Sequence, residues 1–208
     1  MNWGPAYIGA FEYFCQDTLN IAYVEGKYGH KLSPDVSAIL AVQYADQRST
    51  GANLTNGGAY FQTNQFGSRL EFGYQTGILT LGYSVVNPNF PMQNPWSDNP
   101  AYTNAMTQSF QRAGENAVVV GASYVFTPIG LPGIAASVFF YQGWTSAAAG
   151  PPTLENEWDF EIDWRPEWKP LSGLWLRARY GTSQVNQNNK LTTTEELRFI
   201  LNYSVKLY

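Results

Sequence analysis

Polar and apolar positions alternate with a period of two residues along most of the chain, and the alternation is clearest over residues 195–208. There the odd positions from Leu197 to Leu207 are all apolar, and the even positions before Tyr208 are polar except for Ile200. This period predicts a β-strand of about twelve residues. A soluble strand is usually about half that length, whereas a tilted strand that crosses a bilayer needs roughly 9–11 residues. The stretch is therefore predicted to be a membrane strand.

The same alternation recurs upstream and predicts about ten strands with no helix of consequence. The predicted strands are residues 5–14, 19–31, 36–47, 66–75, 78–86, 116–126, 133–143, 156–165, 174–182 and 194–207. In the second of them the alternation breaks over residues 24–28, which predicts a β-bulge.

The connections between the predicted strands are of two kinds, which alternate from the second strand onward. Long polar connections are predicted at residues 48–65, 87–115, 144–155 and 183–193, and short turns lie between them. Short turns at one end and long loops at the other are typical of outer-membrane barrels.

Two predicted strands place a row of large apolar side chains on one face and their charged side chains on the other. Over residues 156–165 the even positions are Trp158, Phe160, Ile162 and Trp164, and the odd positions are Glu157, Asp159, Glu161, Asp163 and Arg165. In the last predicted strand, residues 194–207, the odd positions Leu197, Phe199, Leu201 and Tyr203 are again apolar, and the opposite face is expected to carry every charge of the strand. In a membrane barrel the apolar face contacts lipid and the polar face lines the lumen.

The composition fits this alternation. The chain of 208 residues is 44% hydrophobic and 16% aromatic but only 13% charged, against about 25% charged in an average soluble protein. No apolar run approaches the roughly 18–20 residues of a membrane helix. The net charge of -4 argues against a nucleic-acid partner. The single Cys15 and the single His30 leave little for a disulfide framework, a zinc site or a catalytic triad.

No motif predicts catalysis or a cofactor. The acidic row Glu157, Asp159, Glu161 and Asp163 has neighbours about 6–7 Å apart on one face, so spacing alone leaves a glycosidase-like or metal-binding pair open. The preferred interpretation is a hydrated wall that faces the arginines of the next strand, so neither enzymatic activity nor a bound metal is expected. Met1 is not followed by a signal peptide pattern. We therefore expect either that the mature form begins here or that the chain lacks its true N-terminus.

Four stretches carry a resemblance to a known family. They are NPWSDNPAYTNAM at residues 94–106, FQRAGENA at 110–117, GASYVFTPIGLPGI at 121–134 and GLWLRARYG at 173–181. In this order they resemble the OprD family of substrate-specific outer-membrane porins, and the resemblance covers most of residues 19–208. It implies an all-β fold, an antiparallel transmembrane β-barrel of about eighteen strands, of which this chain would supply about ten. Residues 1–208 are then expected to be one domain, the C-terminal part of a larger barrel in the outer membrane.

The resemblance also implies a function. We expect a substrate-selective passive channel for small carboxylate-bearing solutes such as amino acids, aromatic acids or short peptides. The long loop at residues 87–111 is expected to fold toward the lumen, and the last strand, which ends on Tyr208, to be recognised by the barrel-assembly machinery.

The residues themselves predict the lining of the lumen. Arginines at alternate positions offer an anion several successive shallow sites, so that it binds and still leaves. The predicted pore-lining residues are Arg69, Glu71, Arg112, Glu157, Asp159, Glu161, Asp163, Arg177, Arg179 and Arg198.

Two alternatives stay open at this point. One is a complete ten-stranded outer-membrane barrel that acts as an adhesin or hydrolase, its lumen filled by side chains. The other is a soluble β-sandwich that binds carbohydrate through its aromatic side chains.

Overall fold

The structure, a computed structural model, describes residues 2–3, 5–96, 99–145, 153–171 and 173–204. Within these residues eleven strands form one antiparallel sheet, in which each strand pairs with its neighbours in the sequence. The strands are β1 Asn2–Trp3, β2 Ala6–Cys15, β3 Leu19–Lys31, β4 Val36–Ser49, β5 Gln62–Tyr74, β6 Gly77–Val86, β7 Glu115–Val125, β8 Ile134–Thr145, β9 Thr153–Trp164, β10 Leu174–Gln187 and β11 Lys190–Tyr203.

The ten predicted strands are confirmed as β2 to β11, and the two-residue strand β1 is the addition. The single sheet differs from the two stacked sheets of a sandwich. The predicted end of the last strand, with Val205, Leu207 and Tyr208, lies outside the described residues.

Two predictions about strand geometry are wrong. The predicted bulge at residues 24–28 is absent, because β3 pairs residue for residue with both of its neighbours from Tyr28 to Leu19. The predicted long connection at 183–193 is a two-residue turn of Asn188 and Asn189, with φ of 52° and 60°. Asparagine tolerates this left-handed conformation, which a type I′ hairpin turn requires at both central positions.

The sheet has two chemically different faces, because successive side chains of a strand point to opposite sides. We call one the loop face, since residues 87–96 and 99–114 of the β6–β7 connection lie on it, and the other the apolar face. On β9 the loop face carries the odd-numbered carboxylates and the apolar face carries the row from Trp158 to Trp164, as predicted. On β11 the side chain of Phe199 is 78% exposed on the apolar face. Ile200 lies opposite Arg177 and therefore belongs to the loop face.

Some charges near the strand ends lie on the apolar face. Asp46 and Arg48 pair there at 2.6 Å, close to the end of β4. Glu195 of β11 accepts a hydrogen bond of 3.0 Å from the Tyr180 hydroxyl on the same face. The prediction that the opposite face holds every charge of β11 is therefore wrong at Glu195, because the strand begins at Lys190 and the alternation is polar on both sides near the turn.

The sheet is open in the described part of the chain, where β11 pairs with β10 alone. The described parts of the connections contain three short 3-10 helices, at Leu54–Asn56, Thr127–Ile129 and Lys169–Leu171. None of the helices formed by the described residues is long and apolar enough to cross a membrane.

Candidate functional site

The described part of the connection between β6 and β7, residues 87–96 and 99–114, folds over the loop face and reaches strands near both edges of the sheet. At one side the ring of Trp96 packs edge-on against Tyr13 of β2, with ring centroids 5.2 Å apart. At the other side Arg198 of β11 donates a hydrogen bond of 3.1 Å to the carbonyl oxygen of Met106. The segment therefore covers the middle of the loop face.

Neutral hydrogen bonds fix the first half of this loop. Gln47 of β4 donates to the Gln93 carbonyl at 2.9 Å and accepts from the Gln93 amide at 2.7 Å. Thr103 is completely buried, and its hydroxyl lies 2.5 Å from the hydroxyl of Ser84 on β6. Gln43 of β4 donates to the carbonyl of Pro100 at 3.1 Å. Because these contacts satisfy buried polar groups, they hold the loop close to the sheet.

An aromatic side chain, that of Phe110, fixes the part of the loop that leads back to β7. Phe110 is buried and stacks on Tyr141 of β8, with ring centroids 5.9 Å apart. Its ring lies over Gly143, where a Cβ atom would come within 2.5 Å of it. The φ of Phe110 is 52°, a conformation that costs about 1–2 kcal/mol for a residue of this kind. The packing of the ring offsets that cost.

Carboxylates of β9 hold the tip of the loop, residues 105–108. Glu157 accepts three hydrogen bonds, from the Thr107 amide at 2.7 Å, the Thr107 hydroxyl at 2.7 Å and the Gln108 amide at 2.8 Å. Asp159 accepts one from the Met106 amide at 2.9 Å. Both carboxylates are buried. They bind backbone donors of the loop, and Glu157 has no surface left for a solute.

A further cluster joins the end of the loop to the sheet. The Arg112 side chain contacts Glu155 of β9, its Nη1 lies 3.9 Å from Oε1 of Glu115, and its backbone amide donates to Oε2 of Glu115 at 2.9 Å. Both carboxylates are buried, whereas Arg112 is about one-third exposed. The guanidinium group therefore lies beside two buried acidic side chains and pairs most closely with Glu155.

Beyond the loop tip, β9, β10 and β11 form a wall of paired charges. Arg177 pairs with Asp163 at 2.8 Å and with Glu161 at 3.1 Å, and its guanidinium lies 4.7 Å from the Trp175 ring. Arg179 pairs with Glu161 at 3.0 Å.

Across the β10–β11 pair two arginines stand directly opposite each other. They are Arg179 and Arg198, and Arg198 also pairs with Glu196 at 2.5 Å. Two like charges in register repel each other, so the nearby carboxylates stabilise the arrangement.

A second charged cluster lies on β3 and β5. Arg69 pairs with Glu71 at 3.1 Å, and its guanidinium stacks on the Tyr102 ring at 4.7 Å. The Tyr102 hydroxyl donates to Glu25 at 2.8 Å, and Lys27 pairs with Glu25 at 2.8 Å. Burial, followed by the hydrogen bond to Glu25, raises the pKa of the Tyr102 phenol above its usual range. Tyr102 is therefore a hydrogen-bond donor over the physiological pH range.

The structure thus divides the ten predicted site residues into groups. Glu157 and Asp159 lie beneath the loop tip, Arg112 lies at the end of the loop, and Arg69 with Glu71 lies on β5 beside Tyr102. The wall on β9–β11 holds Glu161, Asp163, Arg177, Arg179 and Arg198.

Several contributors were not predicted. Glu155 continues the odd-numbered acidic row by one step of two residues, a signal that the sequence does contain. Tyr102, Thr107 and Glu25 carry no comparable signal, because their roles depend on the path of the loop. Within the described residues no group of three or more His, Cys, Asp or Glu side chains is arranged to hold a metal ion.

Comparison with known proteins places this architecture in a family. A family model described as outer membrane porin, OprD family, matches residues 8–207. Among curated proteins no sequence match was found.

Solved structures share the fold. OpdL of Pseudomonas aeruginosa superposes with a TM-score of 0.86 at 19% identity, over 99% of this chain and 56% of that chain. OpdK of the same organism, solved with vanillate, gives 0.84 at 19% identity, over 98% and 53%. OccAB3 of Acinetobacter baumannii gives 0.86 at 14% identity, over 97% and 52%. The chain therefore spans slightly more than half the length of these structures.

Proposed function

Because the chain belongs to the OprD family of outer membrane porins, we propose that it forms part of the wall of a substrate-selective passive channel for small carboxylate-bearing solutes. Amino acids, aromatic acids and short peptides are the solutes of this class. The protein acts as a channel and carries out no chemical reaction on the solute.

The observation that carries the proposal is the separation of charge between the two faces. The apolar face exposes a continuous row of large side chains such as Phe160, Phe199 and Leu201. The loop face holds the charge clusters and the folded loop. In a porin the first surface contacts lipid and the second contacts the water of the lumen.

The arginine pair supports carboxylates as the class of solute that the channel passes. Arg179 and Arg198 face each other in register, and Arg177 lies one step of about 6–7 Å further along the same face. A carboxylate passes from one guanidinium to the next, and the neighbouring acidic groups keep each site weak enough for release. The OpdK structure holds vanillate, an aromatic carboxylate. We extend this solute class to the present chain.

The proposal assigns roles to all ten predicted residues. The solute path is lined by Arg69, Glu71, Arg112, Glu161, Asp163, Arg177, Arg179 and Arg198. Glu157 and Asp159 shape the path through the loop that they hold.

The edges of the sheet bear on how the barrel closes. An open sheet edge is unstable in lipid, since each unpaired backbone group there costs several kcal/mol. We therefore propose that further strands continue the sheet beyond β1 and β11 and close it at about eighteen strands. The C-terminal segment of the chain, whose last residue is Tyr208, is the proposed recognition segment for the barrel-assembly machinery.

Liposome swelling tests the function. Vesicles that contain the complete channel are placed in isotonic solutions of benzoate or of benzamide, which differ in charge but hardly in size. The proposal predicts faster swelling in benzoate. Equal rates, or swelling no faster than in protein-free vesicles, would contradict it.

A further inference from the structure

The loop tip 105–108 is a unit between two fixed points. Thr103 precedes it and is buried against Ser84, and Phe110 follows it and is buried against Tyr141. Within the tip the Ala105 amide donates to the Gln108 carbonyl at 2.9 Å, which closes a turn. The tip is therefore a short turn bounded on both sides by buried residues that anchor the rest of the loop.

Side chains of β9, β10 and β11 hold this unit against the sheet. Besides the three bonds accepted by Glu157, the tip is held by Asp159, by Arg198 and by the Ser183 hydroxyl, which lies 2.8 Å from the Thr107 hydroxyl and accepts a hydrogen bond of 3.3 Å from the Gln108 side chain. Charge-assisted hydrogen bonds are roughly twice as strong as neutral ones. Glu157 accepts the most bonds, so it contributes most to the position of the tip.

Glu157 is also unable to bind solute directly, since its exposed fraction is 0%. By its position in the strand, Glu157 looks equivalent to Glu161, which lies four residues further along on the same face. Glu161 stays accessible beside Arg179. Only the loop distinguishes the two carboxylates.

From this geometry we propose that Glu157 is a positioning residue whose three hydrogen bonds hold the loop tip against β9–β11 and so set the width of the solute path beside Arg179 and Arg198. We call these three hydrogen bonds the latch. The proposal rests on the channel function proposed above. Loss of the latch lets the tip leave the arginine wall and return, so the path has several widths instead of one.

Two readouts test the latch in the complete channel. The first is amide hydrogen exchange over residues 105–108 by mass spectrometry, which requires no conduction. The second is single-channel current in planar bilayers. The variants are Glu157→Gln, which cannot accept all three bonds, and Thr107→Val, which removes only the hydroxyl. The matched control is Glu195→Gln, which removes a carboxylate from the apolar face.

Glu157→Gln is expected to accelerate exchange at the tip about tenfold and to split the open current into several levels. Thr107→Val is expected to do so to a smaller extent, and Glu195→Gln to behave as the wild type. A disulfide lock provides the reverse test, because the Thr107 and Ser183 hydroxyls are adjacent. In a Glu157→Gln, Cys15→Ser background, Thr107→Cys with Ser183→Cys should restore a single level when oxidised and lose it on reduction.

Unchanged exchange in Glu157→Gln would overturn the latch, and so would an equal increase in the Glu195→Gln control. Faster exchange with an unaltered current would overturn the link between the tip and the width of the path. A wild-type channel that does not conduct would refute the channel function. Hydrogen exchange over residues 105–108 would still test the latch, because it requires no conduction.

Discussion

Arg177 and Asp163 form a two-pronged ion pair across β10 and β9, with 2.8 Å from Nε to Oδ1 and 2.9 Å from Nη2 to Oδ2. The two residues are directly opposite in register. The pair occupies one edge of the Arg177 guanidinium, which also lies over the Trp175 ring. Among the described residues, Arg179 forms an ion pair with one carboxylate, that of Glu161, which it shares with Arg177. Arg179 is therefore the arginine of this wall from which we expect the largest effect on anions.

The first prediction concerns that residue. Arg179→Ala should lower the uptake of anionic solutes by about two- to fivefold, the factor that corresponds to an exposed ion pair of up to about 1 kcal/mol. Uptake of neutral solutes of equal size should change less. Liposome swelling with matched acids and amides measures both rates. Arg48→Ala is the control, because Arg48 lies on the apolar face. Equal losses for acid and amide would mean that Arg179 merely fills space in the wall.

The second prediction tests which face contacts lipid. Phe160→Arg, in the middle of β9, should cost about 2–4 kcal/mol of folding free energy, because the guanidinium enters the hydrocarbon. Tyr203→Arg, at the end of β11, should cost only about 0–1 kcal/mol near the interface. Reversible unfolding in lipid vesicles gives both values. A cost below about 0.5 kcal/mol for Phe160→Arg would refute the assignment of the faces.

The third prediction concerns the fit of the loop onto the sheet. In Gly143→Ala the new methyl group would lie 2.5 Å from the Phe110 ring and 2.7 Å from Glu115. Such overpacking typically costs about 1–3 kcal/mol. Gly26→Ala is the control, since the nearest atom there, on Val42, is 3.7 Å away. If both variants unfold at the same denaturant concentration, Phe110 does not occupy the space above Gly143.

The fourth prediction concerns the hairpin turn between β10 and β11. Asn189 has a φ of 60°, so Asn189→Val should cost about 1–2 kcal/mol, the penalty for a β-branched residue in the left-handed region. Asn189→Gly should be nearly neutral, because glycine adopts this conformation freely. Denaturant unfolding in vesicles compares the two variants with the wild type. Equal stability of the valine and glycine variants would contradict the turn geometry.

Much of the fold could be predicted because successive side chains of a strand point to opposite faces, so a strand with one apolar face shows a period of two residues in the sequence. The faces of β9 follow from the alternation of Phe160 with Glu161, and the register of β10 against β9 brings Arg177 to Asp163 as the pattern suggested. The strands of the hairpin beyond Ser183 could not be predicted, because they lack this alternation. They carry Thr, Gln and Asn on both faces and so resemble a loop.

The loop contacts could not be predicted from the pattern. Glu157 and Glu161 occupy equivalent odd positions of one strand, yet one is covered by the loop and the other is accessible. That difference depends on the three-dimensional path of residues 105–108. The same holds for Gln47 and Thr103, whose partners are 46 and 19 residues away.

Substituted-cysteine accessibility in the complete channel tests most directly whether the loop face contacts water in a solute path while the apolar face contacts lipid. In a Cys15→Ser background, a membrane-impermeant thiosulfonate is applied to vesicles that carry Arg179→Cys or Phe199→Cys. We expect rapid modification of Arg179→Cys, slowed by added benzoate but not by benzamide, and no modification of Phe199→Cys. Equal modification of the two cysteines, or modification of Phe199→Cys alone, would contradict the account.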